Sequence, residues 1–487
     1  MTHRSAPLAL SLLFLIPVLP PMALASPEAA IAEMEKIQNE SATRTASLGL
    51  CFIPLDGEPG NANGFEIDRG LIPASTMKVI TTATALEVLG KDFRFETNLE
   101  LAGKLEEDGT LQGDVVVRGG GDPTLGSSNI ASTFSRWQTA LEDAGVKKVE
   151  GSIVGDASIF GTQMVPDSWA RNDIGNYYGA GACGLTFHQN LYYCSFRTPK
   201  VWGIAPFVGT DPKLPNVQFI NEMRVGPAGS GDQGYIYGVP YAKVKYLRGT
   251  VPAGKGSYTI KGSIPDPAFF CARAFTKHLN NNGTPVSGEP TTVRLLQVDG
   301  KSTAARKIIH TEESDSLASL MYITNMKSNN LRAECMHRMI GVKVREKTSI
   351  VEASRAVKDH WAAKGVDMAG FYMDDGCGLS RANTVTPRQL ATILFHAAKH
   401  DDFSTFYGTL PVAGQSGTLR SIGGGTSAAG KIVAKSGTIG RIRNYAGYVN
   451  ASSGKRYAFA IFITNYSGDL GTVKSQIVRV WTKLVAM

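Results

Sequence analysis

Residues 46–89 constrain the fold of this chain more than any other stretch. They read as one strand, Ala46–Leu55 (ASLGLCFIPL), closed by Asp56-Gly57, and one helix that starts near Ser75 and runs to about Leu89 before Gly90. A single strand and helix cannot bury a core by themselves. The sequence that follows does not complete one. From Phe93 the texture changes to alternating strands, broken by Asp108-Gly109 and the loop GGGDPTLG at 119–126, with one helix near Ala131–Ala144. Strand-rich sequence continues through 217–264 to a helix at about Pro267–Asn280. Helical texture returns near Ser314 and holds through most of 315–400, interrupted by the loop DDGCGLSRAN at 374–383. Strands at Lys431–Thr438, Tyr445–Asn450 and Arg456–Asn465 and a last helix from about Thr472 close the chain. The partners of the first strand and helix therefore lie at the C-terminal end. The expectation is an α+β core built from residues 26–92 and 300–487. Residues 93–299 form a strand-rich insertion with two small subdomains.

The chain opens MTHRSAPLALSLLFLIPVLPPMALASPEA, with His3 and Arg4 before a short apolar run and Ala23-Leu24-Ala25 after it. This pattern predicts a secretory signal peptide over residues 1–25 and an exported, periplasmic protein. A short helix is expected at Pro27–Asn39. No Cys follows the cleavage position, so no lipid anchor is expected there, and no later run is long and apolar enough to span a bilayer. The net charge of +8 comes from 50 basic and 42 acidic side chains mixed along the chain, without the basic stripe that tracks nucleic acid. Export makes disulfides possible among six Cys. Only Cys183 and Cys194 are close in sequence, and a bridge between them stays open; the other four read as buried thiols.

The helix start carries the first chemical signal. Ser75 and Lys78 in LIPASTMKV lie about one helical turn apart and share a face, so the amine can reach the hydroxyl. A serine becomes a nucleophile when a neighbouring base takes its proton, and a lysine serves when its pKa is lowered. The spacing recurs at Ser452–Lys455, where SSGK between two strand-like runs reads as a hairpin turn. Two further signals follow in order: Ser328-Asn329-Asn330 fits S-x-N between two helical runs, and Lys435-Ser436-Gly437-Thr438 fits K-[ST]-G on a strand. A second S-x-N, Ser127–Asn129, falls in a glycine-rich loop and reads as turn chemistry.

Each residue type has a task in acyl transfer. Lys78 takes the Ser75 proton, Ser328 passes a proton toward the leaving amine, and Asn330 holds Lys78 and the substrate amide. Lys435 places positive charge where a substrate carboxylate would sit. Gly437 leaves room for substrate alongside the strand, and the N–H groups of Ser75 and Thr438 form an oxyanion hole. Other patterns lack context. Gly179–Gly184 (GAGACG) matches G-x-G-x-x-G without a preceding apolar strand, and His396 and His400 are four apart on a helix without the Glu of a zinc motif.

With PASTMK, GGGDPTL, DGCGLSR, LPVAGQSGTL, AKSGT and NYAGYV in place, nearly all of the mature chain resembles the class C low-molecular-mass penicillin-binding proteins, the D-alanyl-D-alanine carboxypeptidase/endopeptidase family. The resemblance implies a penicillin-binding, serine β-lactamase-like core, an antiparallel sheet flanked by helices, with a large insertion between the first two motifs. It also implies action on peptidoglycan stem peptides or cross-links, acylation by β-lactams, and no metal or cofactor. It further implies that Asp173 and Tyr178, in the context of Trp169, grip the amino-acid end of a diaminopimelate side chain, with Arg381 of DGCGLSR meeting its carboxylate. Ser436 stands where Thr is usual, and Gly440 where the family can place a Gln. A β-lactamase shares the three motifs and differs in how fast water releases the acyl group, and the long insertion argues against it. A catalytically silent wall-binding or penicillin-sensing module would be expected to show a broken motif, and all three are intact.

Overall fold

The computed structural model describes Met1 and residues 26–487, so the remainder of the expected signal peptide lies outside the described residues. The strand Ser47–Pro54 pairs with Arg456–Thr464 on one side and Asn63–Phe65 on the other, and the sheet continues through Ile442–Asn450 to Ile432–Ile439 at its edge, antiparallel throughout. Both faces are covered. Leu48, Leu50 and Phe52 point toward the terminal helices Pro27–Gln38 and Leu470–Ala486, where Trp481 packs edge-on against Tyr445 at 4.8 Å. Cys51 and Ile53 point the other way, into a core shared with the helices Met77–Leu89, Asn330–Arg345 and Pro387–Ala397. Burial on two faces explains why these strands read as continuous apolar runs although the sheet is antiparallel.

The Met77–Leu89 helix is buried on every side from Met77 to Leu86. A helix in that position should be apolar all round, yet it carries Thr81, Thr82 and Thr84. Their hydroxyls donate to the carbonyls of Gly376, Lys78 and Ile80 at 2.6, 2.7 and 2.8 Å, so none is left without a partner.

Residues between the first two motifs form two further cores. One is a mixed sheet, ordered Thr291–Thr292, Ile153–Asp156, Thr110–Arg118, Glu96–Leu105 and Arg306–Glu313, packed under the helices Ile130–Asp143 and Pro267–Asn281. The other lies between two small sheets that enclose Tyr192, Phe196, Ile236 and Leu247. The strand Arg306–Glu313 lies past the boundary expected at 299 and pairs with Glu96–Leu105. As an edge strand (RKIIHTEE) it is half-exposed along its length and carries charge rather than an apolar face, which hid it in the sequence.

All six cysteines are buried free thiols. Cys183 and Cys194 belong to different cores, so the possible bridge between them is not present. Burial pushes both thiols up to about 12. The glycines of GAGACG serve close packing: a Cβ on Gly179 would lie 2.1 Å from the Asp173 carbonyl oxygen, and one on Gly184 would lie 2.3 Å from that of Ala157.

Candidate active site

The structure brings the three motifs together at the edge of the five-stranded sheet. Ser75 lies in a single 3-10 turn, Ala74–Thr76, that runs into the Met77–Leu89 helix. Lys78, fully buried, donates to Ser75 Oγ at 3.0 Å, Asn330 Oδ1 at 2.7 Å and the Cys377 carbonyl at 2.6 Å. Burial pushes its amine below the ordinary lysine value, and the acidic groups around it, Asp375 among them, oppose the shift only in part. The amine is thus held on the hydroxyl it would have to deprotonate.

The second motif is a turn between two helices. Ser328 closes Leu317–Lys327 in the left-handed conformation, φ 57°, ψ 42°, and the Asn329 side chain caps the next helix by accepting from the Arg332 N–H at 2.9 Å. This turn puts Ser328 Oγ 2.9 Å from Lys435 Nζ. Asn330 faces Lys78 with its oxygen, while its Nδ2 donates to the Tyr178 carbonyl at 2.7 Å. Its amide N–H groups therefore face the insertion.

Lys435 is fully buried and also donates to the Ser436 carbonyl at 2.7 Å. Burial first, then the positive charges of Lys78 and Arg443, drive its amine well below the ordinary value. Ser436 donates its hydroxyl to Thr418 Oγ1 at 2.8 Å, and Arg443 donates to the Thr438 hydroxyl and to the Tyr445 hydroxyl, the latter at 2.7 Å. A Cβ on Gly437 would lie 2.7 Å from the Pro73 carbonyl oxygen and 3.2 Å from the Ser75 nitrogen. The missing side chain thus lets the strand close on the turn that carries Ser75, a tighter demand than the room for substrate expected from sequence. Asn444, beside Gly437 in the sheet register, reinforces this by donating to the Ile72 and Pro73 carbonyls at 2.8 and 3.0 Å.

Asp173, Tyr178 and Arg381 converge beside this centre. Tyr178 OH donates to Asp173 Oδ1 at 3.2 Å, and an Arg381 guanidinium nitrogen lies 3.7 Å from Asp173 Oδ2. That Oδ2 atom is buried and accepts no hydrogen bond. Trp169, on the same segment, donates to Asp375 Oδ2 at 2.7 Å and so anchors it to the loop that carries Cys377.

Sequence reasoning missed the support of that loop. Asp375 accepts from the Gly378 and Ser380 N–H groups at 2.7 and 2.6 Å, and from Asn383 Nδ2 at 2.7 Å; Glu334 accepts from the Cys377 N–H at 2.6 Å. Glu334, Asp375 and Cys377 are the converging His/Cys/Asp/Glu group among the described residues, and their carboxylates are occupied by N–H donors. The His396–His400 pair takes no part in it. Arg443 and Thr418 were also missed, although both lie inside segments singled out for other reasons, NYAGYV with its flank and LPVAGQSGTL.

Residues 63–484 match the D-Ala-D-Ala carboxypeptidase 3 (S13) family, and the chain belongs to it. It is 29% identical over 409 residues to a D-alanyl-D-alanine carboxypeptidase of Actinomadura sp. (strain R39), covering 82% of this chain and 74% of that one. It is 26% identical over 405 residues to the D-alanyl-D-alanine carboxypeptidase DacB of Haemophilus influenzae, covering 82% of each. The crystal structure of penicillin-binding protein 4 from Haemophilus influenzae superposes with a TM-score of 0.78 at 23% identity, over 92% of this chain and 98% of that chain, so the fold is shared. The protein is a serine-type D-Ala-D-Ala carboxypeptidase, a hydrolase with the α+β penicillin-binding fold.

Proposed function

We propose that Ser75 is the nucleophile that cleaves the terminal D-Ala-D-Ala bond of peptidoglycan stem peptides, and cross-links of the same chemistry, in the periplasm. The observation that carries this reading is the 3.0 Å contact of a fully buried Lys78 amine with Ser75 Oγ. Neutral Lys78 accepts the Ser75 proton as the oxygen bonds to the substrate carbonyl carbon, and the leaving amine takes a proton relayed through Ser328. Water then attacks the acyl carbon and restores the hydroxyl. The N–H groups of Ser75 and Thr438 face the developing oxyanion.

Past the Val412–Val433 bridge, the strand Ile432–Ile439 has no further strand partner on its outer edge among the described residues, so an extended peptide can add to it. A substrate ending in a carboxylate would meet Lys435 and Arg443 and restore the full charge of Lys435. Asp173 and Arg381 suit the ammonium and carboxylate of a zwitterionic stem side chain, since the buried Asp173 Oδ2 still lacks a hydrogen-bond donor. A β-lactam presents the same carbonyl and carboxylate, and the Haemophilus influenzae relative is known in complex with one. Release of D-Ala from a free pentapeptide, measured beside hydrolysis of a penicillin, tests the reading. D-Ala release with a stable penicillin adduct is expected; rapid penicillin turnover without D-Ala release would identify a β-lactamase instead.

A further inference from the structure

The segment that supplies Tyr178 continues onto an exposed surface that the acyl-transfer steps do not use. Tyr178 touches the centre through its carbonyl, which accepts from Asn330, and its ring meets that of Tyr177 edge-on at 5.4 Å. Tyr177 is 50% exposed. Its ring lies 5.8 Å from the Lys261 ammonium, which lies 5.6 Å from the ring of Tyr193, itself 39% exposed. Tyr193 and Lys261 are register partners on the antiparallel strands Leu191–Thr198 and Gly256–Ser263 and share the outer face, while Tyr192, Cys194 and Ile260 point into the core. The next pair outward, Ser195 and Thr259, joins hydroxyl to hydroxyl at 2.9 Å.

Two half-exposed rings set around a lysine, and continued by hydroxyls, lack the apolar, lysine-poor centre of a protein interface. They match a ligand with apolar faces and a polar rim. Aromatic rings with one wet edge bind such a surface by face contact, while their hydroxyls and the lysine serve the rim. The ligand of the neighbouring site carries that chemistry. A stem peptide is attached to a strand of amino sugars, and at about 3.3–3.6 Å per extended residue a short stem keeps the sugars within roughly 15 Å of the reacting bond. Tyr178, Tyr177, Lys261 and Tyr193 succeed one another in steps of 5.4–5.8 Å, starting from the residue whose carbonyl accepts from Asn330.

We propose that Tyr177, Lys261 and Tyr193 form a subsite for the amino-sugar strand that bears the stem peptide. The proposal rests on the reading of the Ser75 site as a stem-peptide peptidase. It is tested by comparing turnover of a disaccharide-linked pentapeptide with that of the same pentapeptide free, for wild type and for Tyr193→Ala and Lys261→Ala. Each variant should lose about 3–10-fold in kcat/KM on the disaccharide substrate, through KM, and little on the free peptide or in penicillin acylation. Tyr193→Trp should keep the advantage. Equal losses on both substrates, or no loss on either, would overturn the subsite. If wild type forms no penicillin adduct at Ser75, the underlying reading fails, and cosedimentation with glycan strands stripped of peptide still decides the proposal. Binding weakened by Tyr193→Ala supports it, and unchanged binding overturns it.

Discussion

Lys78 donates to the carbonyl of Cys377 at 2.6 Å, across 299 positions of sequence. The N–H of the same peptide unit, that of Gly378, donates to Asp375 at 2.7 Å. One peptide group therefore stands between the buried amine and a buried carboxylate, and the loop DDGCG fixes where the amine sits.

Because burial lowers the Lys78 amine, its neutral form should be present at lower pH than for a free lysine. Acylation by penicillin should rise with pH through that lowered value and then level off. Lys78→Arg, which stays charged, should reduce the acylation rate by about 10²–10⁴ at every pH. A stopped-flow pH profile of acylation checks both; an unchanged profile in Lys78→Arg would remove the base role.

Lys435 and Lys78 should fail differently. Lys435→Ala should lower kcat/KM for substrates that end in a free carboxylate and spare amidated analogues, whereas Lys78→Ala should slow acylation for all of them. Parallel losses over the whole series would show that the two amines do not divide the work.

Gly437→Ala puts a methyl group against the Pro73 carbonyl and the Ser75 nitrogen, which must then move. A displacement of about 1 Å at Ser75 should cost on the order of 10² in acylation rate. Thermal unfolding would show whether the fold survives; a stable variant with wild-type acylation would mean that the close approach is not needed.

Burial, with the Asp375 charge, raises the Glu334 carboxyl to about 8, so it is neutral at pH 7. Burial likewise lowers His337 to about 3, so the 4.0 Å contact between the two is not an ion pair near neutrality. The folded state holds the Glu334 proton more tightly than the unfolded chain. The resulting stability is complete below about 4.5 and is lost as pH rises toward about 8. Denaturant titrations from pH 5 to 9 should show a flatter pH dependence in Glu334→Gln than in wild type; identical slopes would refute the assignment.

The motif residues were legible because their chemistry lies in side chains at fixed spacings on elements with clear periodicity: Ser75 and Lys78 on a helix start, Ser328 and Asn330 between helices, Lys435 on a strand. The Cys377 carbonyl that holds Lys78 was not, since any residue can supply a backbone oxygen. Glu334 sits in a helix, where a charged residue normally reads as solvent-facing, and only the fold reveals its burial. The hydroxyl of Ser436 was legible as a group, but its partner Thr418 belongs to an irregular segment without periodicity. Arg306–Glu313 escaped because an edge strand need not alternate.

Ser75, activated by Lys78, should be the residue that becomes acylated. Peptide-level mass spectrometry after incubation with penicillin tests it most directly. One adduct is expected, on the peptide containing Ser75 and absent from Ser75→Ala; an adduct on any other serine, Ser452 included, or labelling that survives Ser75→Ala, would contradict this role.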